Sequence, residues 1–156
     1  MTRHILFVCL GNICRSPAAE AVLRAKAARA GLMVEVDSAG TGDWHVGEPP
    51  HPPMIAAATA RGYRLEALRA RQLSVSDFAR FDMILTMDNA NQRKASALRA
   101  QAGMGPLPKL FLSYAPDCGL TEVPDPWYTG DFDQTLDLLE AATDGLIAAL
   151  LSTDQR

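Results

Sequence analysis

Val8-Cys9-Leu10-Gly11-Asn12-Ile13-Cys14-Arg15-Ser16-Pro17 is the stretch on which the fold turns. The residues leading into it, 3–9, form a β-branched and aromatic run that reads as a buried strand. After it, Ser16-Pro17 offers an N-cap and a proline at the first helical position. The Ala-rich residues 17–30 read as a helix that Gly31 stops. Between strand and helix, Gly11-Asn12 supplies the two residue types that best tolerate a left-handed backbone at a tight turn. A loop that leaves a strand and winds into a helix turns successive backbone N–H groups inward. With the helix dipole behind them, they form a cradle for an anion. The Gly-Lys-Ser/Thr ending of a nucleotide-binding loop is missing, and Gly11 stands alone where a dinucleotide fingerprint needs three glycines.

The rest of the chain repeats the strand-helix alternation. Residues 33–37 read as a second strand, followed by a Gly- and Pro-rich loop, 38–53. Residues 54–61 read as a helix ended by Gly62. A third strand is expected over 81–87, a helix over 89–102 ended by Gly103, and a short fourth strand over 108–112. A long loop, 114–130, carries Pro116, Pro124 and Pro126. The final helix, 131–152, sets Phe132, Leu136, Leu139, Leu146 and Leu150 on one stripe. This order implies an α/β fold: a central parallel four-stranded sheet, helices on both faces and right-handed crossovers. The 156 residues are the size of one domain, 1–156, with no repeat or linker to divide it.

Composition narrows the function classes. Hydrophobic residues at 48% and charged residues at 21% fit an ordinary globular chain. A net charge of -3 gives no basic footprint for nucleic acid. The apolar run 5–10 is too short for a membrane span or a signal-peptide core, so no membrane insertion and a cytoplasmic location are expected. Three cysteines, Cys9, Cys14 and Cys118, are an odd number that suits reduced thiols better than a disulfide framework. Their spacing suits no zinc site, and neither a metal nor another cofactor is expected.

In such sheets, ligands bind beyond the carboxyl ends of the strands, which brings the first loop to the centre of the chemistry. A cysteine facing N–H donors and a helix N-terminus is stabilised as thiolate, the nucleophilic form. Arg15 offers a planar fork that matches two oxygens of a phosphate. Ser16 can cap the helix and donate to the sulfur. Cysteine and arginine six residues apart are common by chance; the strand before, the turn residues within and the helix start after make this pair functional. Asp125 lies between two prolines on the loop leaving the fourth strand, where the backbone is restricted. On its residues alone, it is equally an acid–base group or a turn aspartate. Asp88, Asp117, Asp131 and Asp133 read as turn, cap or scaffold residues.

The chain resembles the low-molecular-weight protein tyrosine phosphatases. Besides the first loop, the matching pieces are Asp37-Ser38-Ala39-Gly40-Thr41, Ala70-Arg71-Gln72-Leu73, Met87-Asp88 and Pro124-Asp125-Pro126-Trp127. They fall in the family's order along nearly the whole chain. The resemblance implies the phosphotyrosine phosphatase I-like fold and a two-step hydrolysis. In it, Cys9 attacks phosphorus, Arg15 holds the phosphoryl oxygens, and Asp125 is first acid and then base. The phosphate-binding loop would be Leu10, Gly11, Asn12, Ile13, Cys14 and Ser16, with Asn12 and Ser38 as a supporting pair. Trp44, Trp127 and Tyr128 look like the aromatic walls of the substrate pocket, although for Tyr128 packing is as good a reading. A protective disulfide between Cys9 and Cys14 is implied as well. The partner would be a tyrosine-phosphorylated protein, tyrosine kinases among the candidates, and the protein a monomer or weak dimer.

The chain departs from the family's pattern at Leu68, where members commonly carry a histidine that hydrogen-bonds the phosphate loop. Three other activities compete. A thioredoxin-coupled arsenate reductase needs a cysteine pair near the third strand, which residues 81–87 lack. A protein-arginine phosphatase tends to have threonine where this chain has Ile13, and the larger apolar side chain suits a flat phenyl group. A catalytically silent phosphate-binding module would need neither Cys9 nor Asp125.

Overall fold

The computed structural model describes residues 1–154. Four parallel strands stand in the order β2-β1-β3-β4: β1 Arg3–Cys9, β2 Val34–Gly40, β3 Met83–Thr86 and β4 Lys109–Leu110. Between them run α1 Arg15–Ala30, α2 Pro52–Ala60, α3 Asp77–Arg80 and α4 Asn89–Ala102. After β4 come two 3-10 turns, Phe111–Tyr114 and Pro116–Cys118, then α5 Pro126–Thr129 and α6 Phe132–Asp154. Among the described residues no helix is long and apolar enough to cross a membrane.

β1 lies inside the sheet, and its sequence shows it. Ile5, Leu6, Phe7 and Val8 are all completely buried, as a strand covered on both faces must be. Alternate side chains serve opposite layers. Ile5 and Phe7 join α1, α2 and α6 in the larger core, where Phe7 meets Phe111 edge-on at 4.8 Å. Leu6 and Val8 join Phe78, Phe81, Ile84 and Ala95 in a smaller core under α3 and α4. Helices on both faces of an all-parallel sheet are the architecture that the alternation of elements implies.

Element boundaries moved where side-chain chemistry was a poor guide. β2 continues through Ser38-Ala39-Gly40, which the sequence reading gave to a loop, because these residues pair with Phe7, Val8 and Cys9 of β1. The third strand is Met83–Thr86 rather than 81–87, and the helical turn α3 ahead of it was not foreseen. The fourth strand shrinks to Lys109–Leu110, since Phe111 and Leu112 leave the sheet in a 3-10 turn that buries both. α6 packs closely on that turn: a Cβ on Gly145 would lie 1.9 Å from the Tyr114 carbonyl oxygen, so only glycine fits there. The stripe on α6 holds, with Leu136, Leu139, Leu146 and Leu150 buried and Phe132 partly so.

Candidate active site

The loop from Cys9 to Ser16 is fixed by its carbonyls. The Cys9 carbonyl accepts from Thr41 N at 2.9 Å, Leu10 from Gly42 N at 2.9 Å, and Ile13 from His51 N at 2.8 Å. A trans peptide points its carbonyl and the following N–H in opposite directions. Outward carbonyls therefore turn the N–H groups of Leu10, Gly11 and Cys14 toward the inside of the loop. Among the described residues, Asn12 is the one non-glycine residue with a positive φ, 58°, and it directs its own N–H to Cys9 Sγ at 3.3 Å. The close approach of β2 is part of the same construction: a Cβ on Gly40 would lie 2.7 Å from the Leu10 carbonyl oxygen.

Ser16 does not cap α1. The helix begins at Arg15, with Cys14 at the N-cap position and no side-chain cap bond. Freed from that task, the Ser16 hydroxyl lies 2.9 Å from Cys9 Sγ and accepts from Asn12 Nδ2 at 2.8 Å. The same amide donates to Ser38 Oγ at 2.9 Å, and Asn12 Oδ1 accepts from Arg71 N at 3.0 Å. Leu68 packs against the larger core, and Asn12 takes its outer support from the Arg71 backbone.

Arg15 is nearly buried at 2% exposure and is held from three directions. Nη1 donates to Asp88 Oδ2 at 2.8 Å and to the Val123 carbonyl at 2.9 Å, and Nη2 reaches Asp125 Oδ2 at 3.4 Å. Burial disfavours its charge, but Cys9, the Asp88 hydrogen bond and the Asp125 and Asp88 charges outweigh this and raise its pKa further. Cys14, buried beneath the loop, has its thiol pushed up to about 12, first by burial and then by Cys9 and Asp125, with Arg15 opposing. Asp125 starts α5, where Oδ1 accepts from Trp127 N at 3.1 Å. Val123 N donates to the Met87 carbonyl at 2.8 Å, which ties this second loop to the end of β3.

Cys9, Leu10, Gly11, Ile13, Cys14 and Arg15 floor a cleft of about 250 Å³. Asp125, Trp127, Tyr128, Trp44 and His45 line its walls. That is below the roughly 300–1,000 Å³ usual for drug-sized ligands, so the cleft admits one side-chain head and leaves the rest outside. All the residues expected from the sequence thus converge, Asn12, Ser16 and Ser38 behind the sulfur rather than in the cleft. The sequence reading missed His45, which pairs with Glu48, and His51, whose ring lies 4.7 Å from that of Trp127. Of the turn, cap and scaffold roles expected for it, Asp88 takes that of helix cap, accepting from Asn91 N at 2.8 Å, and it is also a partner of Arg15. Its position directly after the third strand was the available signal.

Comparison with known proteins agrees with this geometry. Residues 4–156 match the family described as low molecular weight phosphotyrosine protein phosphatase. The chain is 41% identical over 155 residues to low molecular weight protein-tyrosine-phosphatase YfkJ of Bacillus subtilis, covering 97% of each chain. It is 45% identical over 150 residues to putative low molecular weight protein-tyrosine-phosphatase slr0328 of Synechocystis, covering 94% of this chain and 95% of that one. The YfkJ crystal structure superposes with a TM-score of 0.92 at 38% identity, covering 98% of this chain and 97% of that one. A match over nearly the whole length, with the loop and cleft in place, leads to one conclusion: the chain belongs to the low molecular weight phosphotyrosine protein phosphatase family.

Proposed function

We propose that the protein hydrolyses phosphotyrosine in a tyrosine-phosphorylated protein, with Cys9 as nucleophile, Arg15 as phosphate clamp and Asp125 as acid and base. The observation that carries this reading is the convergence of the Cys9 sulfur, the Arg15 guanidinium and the Asp125 carboxyl on one cleft. In the first step, Cys9 Sγ forms a bond to phosphorus as the bond from phosphorus to the tyrosyl oxygen breaks, and Asp125 protonates that oxygen. In the second, Asp125 takes a proton from water, the water oxygen bonds to phosphorus, and Cys9 leaves as thiolate. The inward N–H groups and Arg15 meet the charge on the phosphoryl oxygens, an arrangement that needs no reorganisation during reaction. Ile13, Trp44, Trp127 and Tyr128 offer flat apolar surface to a phenyl ring. The three free cysteines fit a reducing compartment, the cytoplasm.

Turnover of p-nitrophenyl phosphate in EDTA, inhibition by vanadate and an inert Cys9→Ser are the expected results. An active Cys9→Ser removes the covalent mechanism. Phosphotyrosine peptides should be preferred to phosphoserine, phosphothreonine and phosphoarginine peptides; a phosphoarginine preference would change the substrate class.

Cys14 we take as a resolving thiol. Peroxide converts the Cys9 thiolate to a sulfenic acid, which condenses with the Cys14 thiol, losing water and forming a disulfide. Oxidation also removes the Cys9 charge, one of the causes that keep Cys14 protonated. Dithiothreitol should then restore the wild type but not Cys14→Ser. Equal recovery, with no Cys9–Cys14 peptide by mass spectrometry, would leave Cys14 a packing residue.

A further inference from the structure

Ser16, Glu20 and Arg24 follow one another at four-residue intervals along α1, and Glu20 and Arg24 both bond to residues of β2. Glu20 is 4% exposed in a helix whose buried side is otherwise largely alanine, valine and leucine. A carboxylate in that position must be partnered, and it is. Oε1 accepts from Ser38 Oγ at 2.7 Å, and Oε2 accepts from Arg24 Nη2 at 2.7 Å. The Arg24 guanidinium also donates to the Val36 carbonyl at 2.9 Å, which pins it to β2. None of these groups reaches the cleft.

Their effect on the cleft follows from counting protons. A carboxylate only accepts hydrogen bonds, so the single hydroxyl proton of Ser38 is committed to Glu20. Ser38 Oγ can then only accept from Asn12, and the Asn12 amide must present Nδ2 to it. The second Nδ2 proton goes to Ser16 Oγ. With that contact filled by a donor, the one proton on Ser16 is left for Cys9 Sγ at 2.9 Å. Were the chain reversed, Ser38 and Ser16 would both donate to Asn12 Oδ1, and a lone pair of Ser16 would face the sulfur. Arg71 N, donating to Asn12 Oδ1, opposes that reversal from the other side.

We propose that Glu20, with Arg24 as its counter-charge, is a positioning residue that sets the direction of the Ser38–Asn12–Ser16 chain and so aims the Ser16 proton at Cys9. This rests on Cys9 being the nucleophile. The aimed proton favours the thiolate both when it attacks and when it departs from phosphorus, so its loss falls on kcat rather than on KM.

Glu20→Gln is the test, because the amide keeps the shape but can donate to Ser38 and permit the reversal. With an aryl phosphate, kcat should fall about 10- to 100-fold, the range for one hydrogen bond to a charged group, with KM little changed. The acidic limb of the kcat/KM profile should move to higher pH, and so should the pH dependence of Cys9 alkylation by iodoacetamide, followed by mass spectrometry. Arg24→Ala should reproduce part of the displacement and Arg24→Lys should restore it. Ser38→Ala combined with Glu20→Gln should be no slower than Ser38→Ala alone, since both act through one path. An unmoved pH profile in Glu20→Gln overturns the proposal, as does a loss of activity that only parallels lower thermal stability or adds to that of Ser38→Ala. Where Glu20→Gln does not fold, an unmoved profile in Arg24→Ala overturns it equally. A wild type that keeps full turnover after Cys9 is alkylated would instead remove the nucleophile reading itself.

Discussion

The two loops that meet over the cleft are built in opposite ways. In the loop from Cys9 to Ser16, Cys9, Asn12, Cys14, Arg15 and Ser16 are all buried, and three carbonyls are tied down from outside. The loop that carries Asp125 is anchored through Val123 and then rises into one turn of helix, ending at a left-handed Gly130. Trp127 is 52% exposed there and Tyr128 79%. The first loop meets the same charge distribution in every turnover, and electrostatic stabilisation is strongest when its donors need not move. The second must admit and release a tyrosine attached to a whole protein. The anion site is buried and tied down, whereas the aromatic residues beside Asp125 are left open to solvent.

Substitutions in the rigid loop should be the most damaging. Arg15→Ala should lose on the order of 10³–10⁵ in kcat, the scale of an arginine that stabilises a transferring phosphoryl group. It also leaves the Asp88 carboxylate and the Val123 carbonyl without their shared donor. Steady-state turnover of an aryl phosphate checks this, and a loss below tenfold would mean that the clamp lies elsewhere.

Asp125→Ala tests the other side. It should cost 10²–10⁴-fold on phosphotyrosine, less on an aryl phosphate with an activated leaving group, and little in thermal stability. Equal losses on both substrates would make Asp125 a structural cap of α5 rather than an acid.

Asn12→Ala should separate the loops in stability. Alanine at φ 58° is strained, and the substitution leaves Ser16, Ser38 and the Arg71 N–H short of a partner. A loss of about 2–4 kcal/mol in urea unfolding is expected from those terms together. An unchanged midpoint would show that the loop is not over-determined as described.

The smallest effect concerns Cys14. Its thiol is raised from an ordinary 9.0 to about 12, so the folded state holds the proton more tightly than the unfolded one. The stability tied to that proton is complete below about pH 9 and is lost as pH rises from there toward 12. Cys14→Ala should therefore be less sensitive to alkali than the wild type, closing a gap of roughly 1 kcal/mol between pH 7 and pH 10. Parallel stability curves over that range would contradict it.

The legibility of the sequence divides along the same line. β1 and the loop after it could be read because hydrophobic run, turn residues and helix start are all local signals. The helix ended by Gly103 was equally plain and matches α4 at both ends. Ser38 to Gly40 looked like loop because polar and small residues there serve the site, and only pairing with β1 reveals a strand. The roles of Asp88 and Glu20 were hidden for a different reason. Each depends on a partner far along the chain or on another element, and spacing along one helix or loop does not display that partner.

The ion pair between Arg15 and Asp125 joins positions 110 residues apart. Contacts of such long range form late, because the chain must close a large loop before they contribute. During synthesis Cys9 is made 116 residues before Asp125, the acid of the proposed mechanism. A growing chain thus displays a thiol and part of an anion cradle well before it can complete a turnover. On the proposed mechanism, chemical competence is acquired only when the segment that carries Asp125 docks on the loop that carries Arg15.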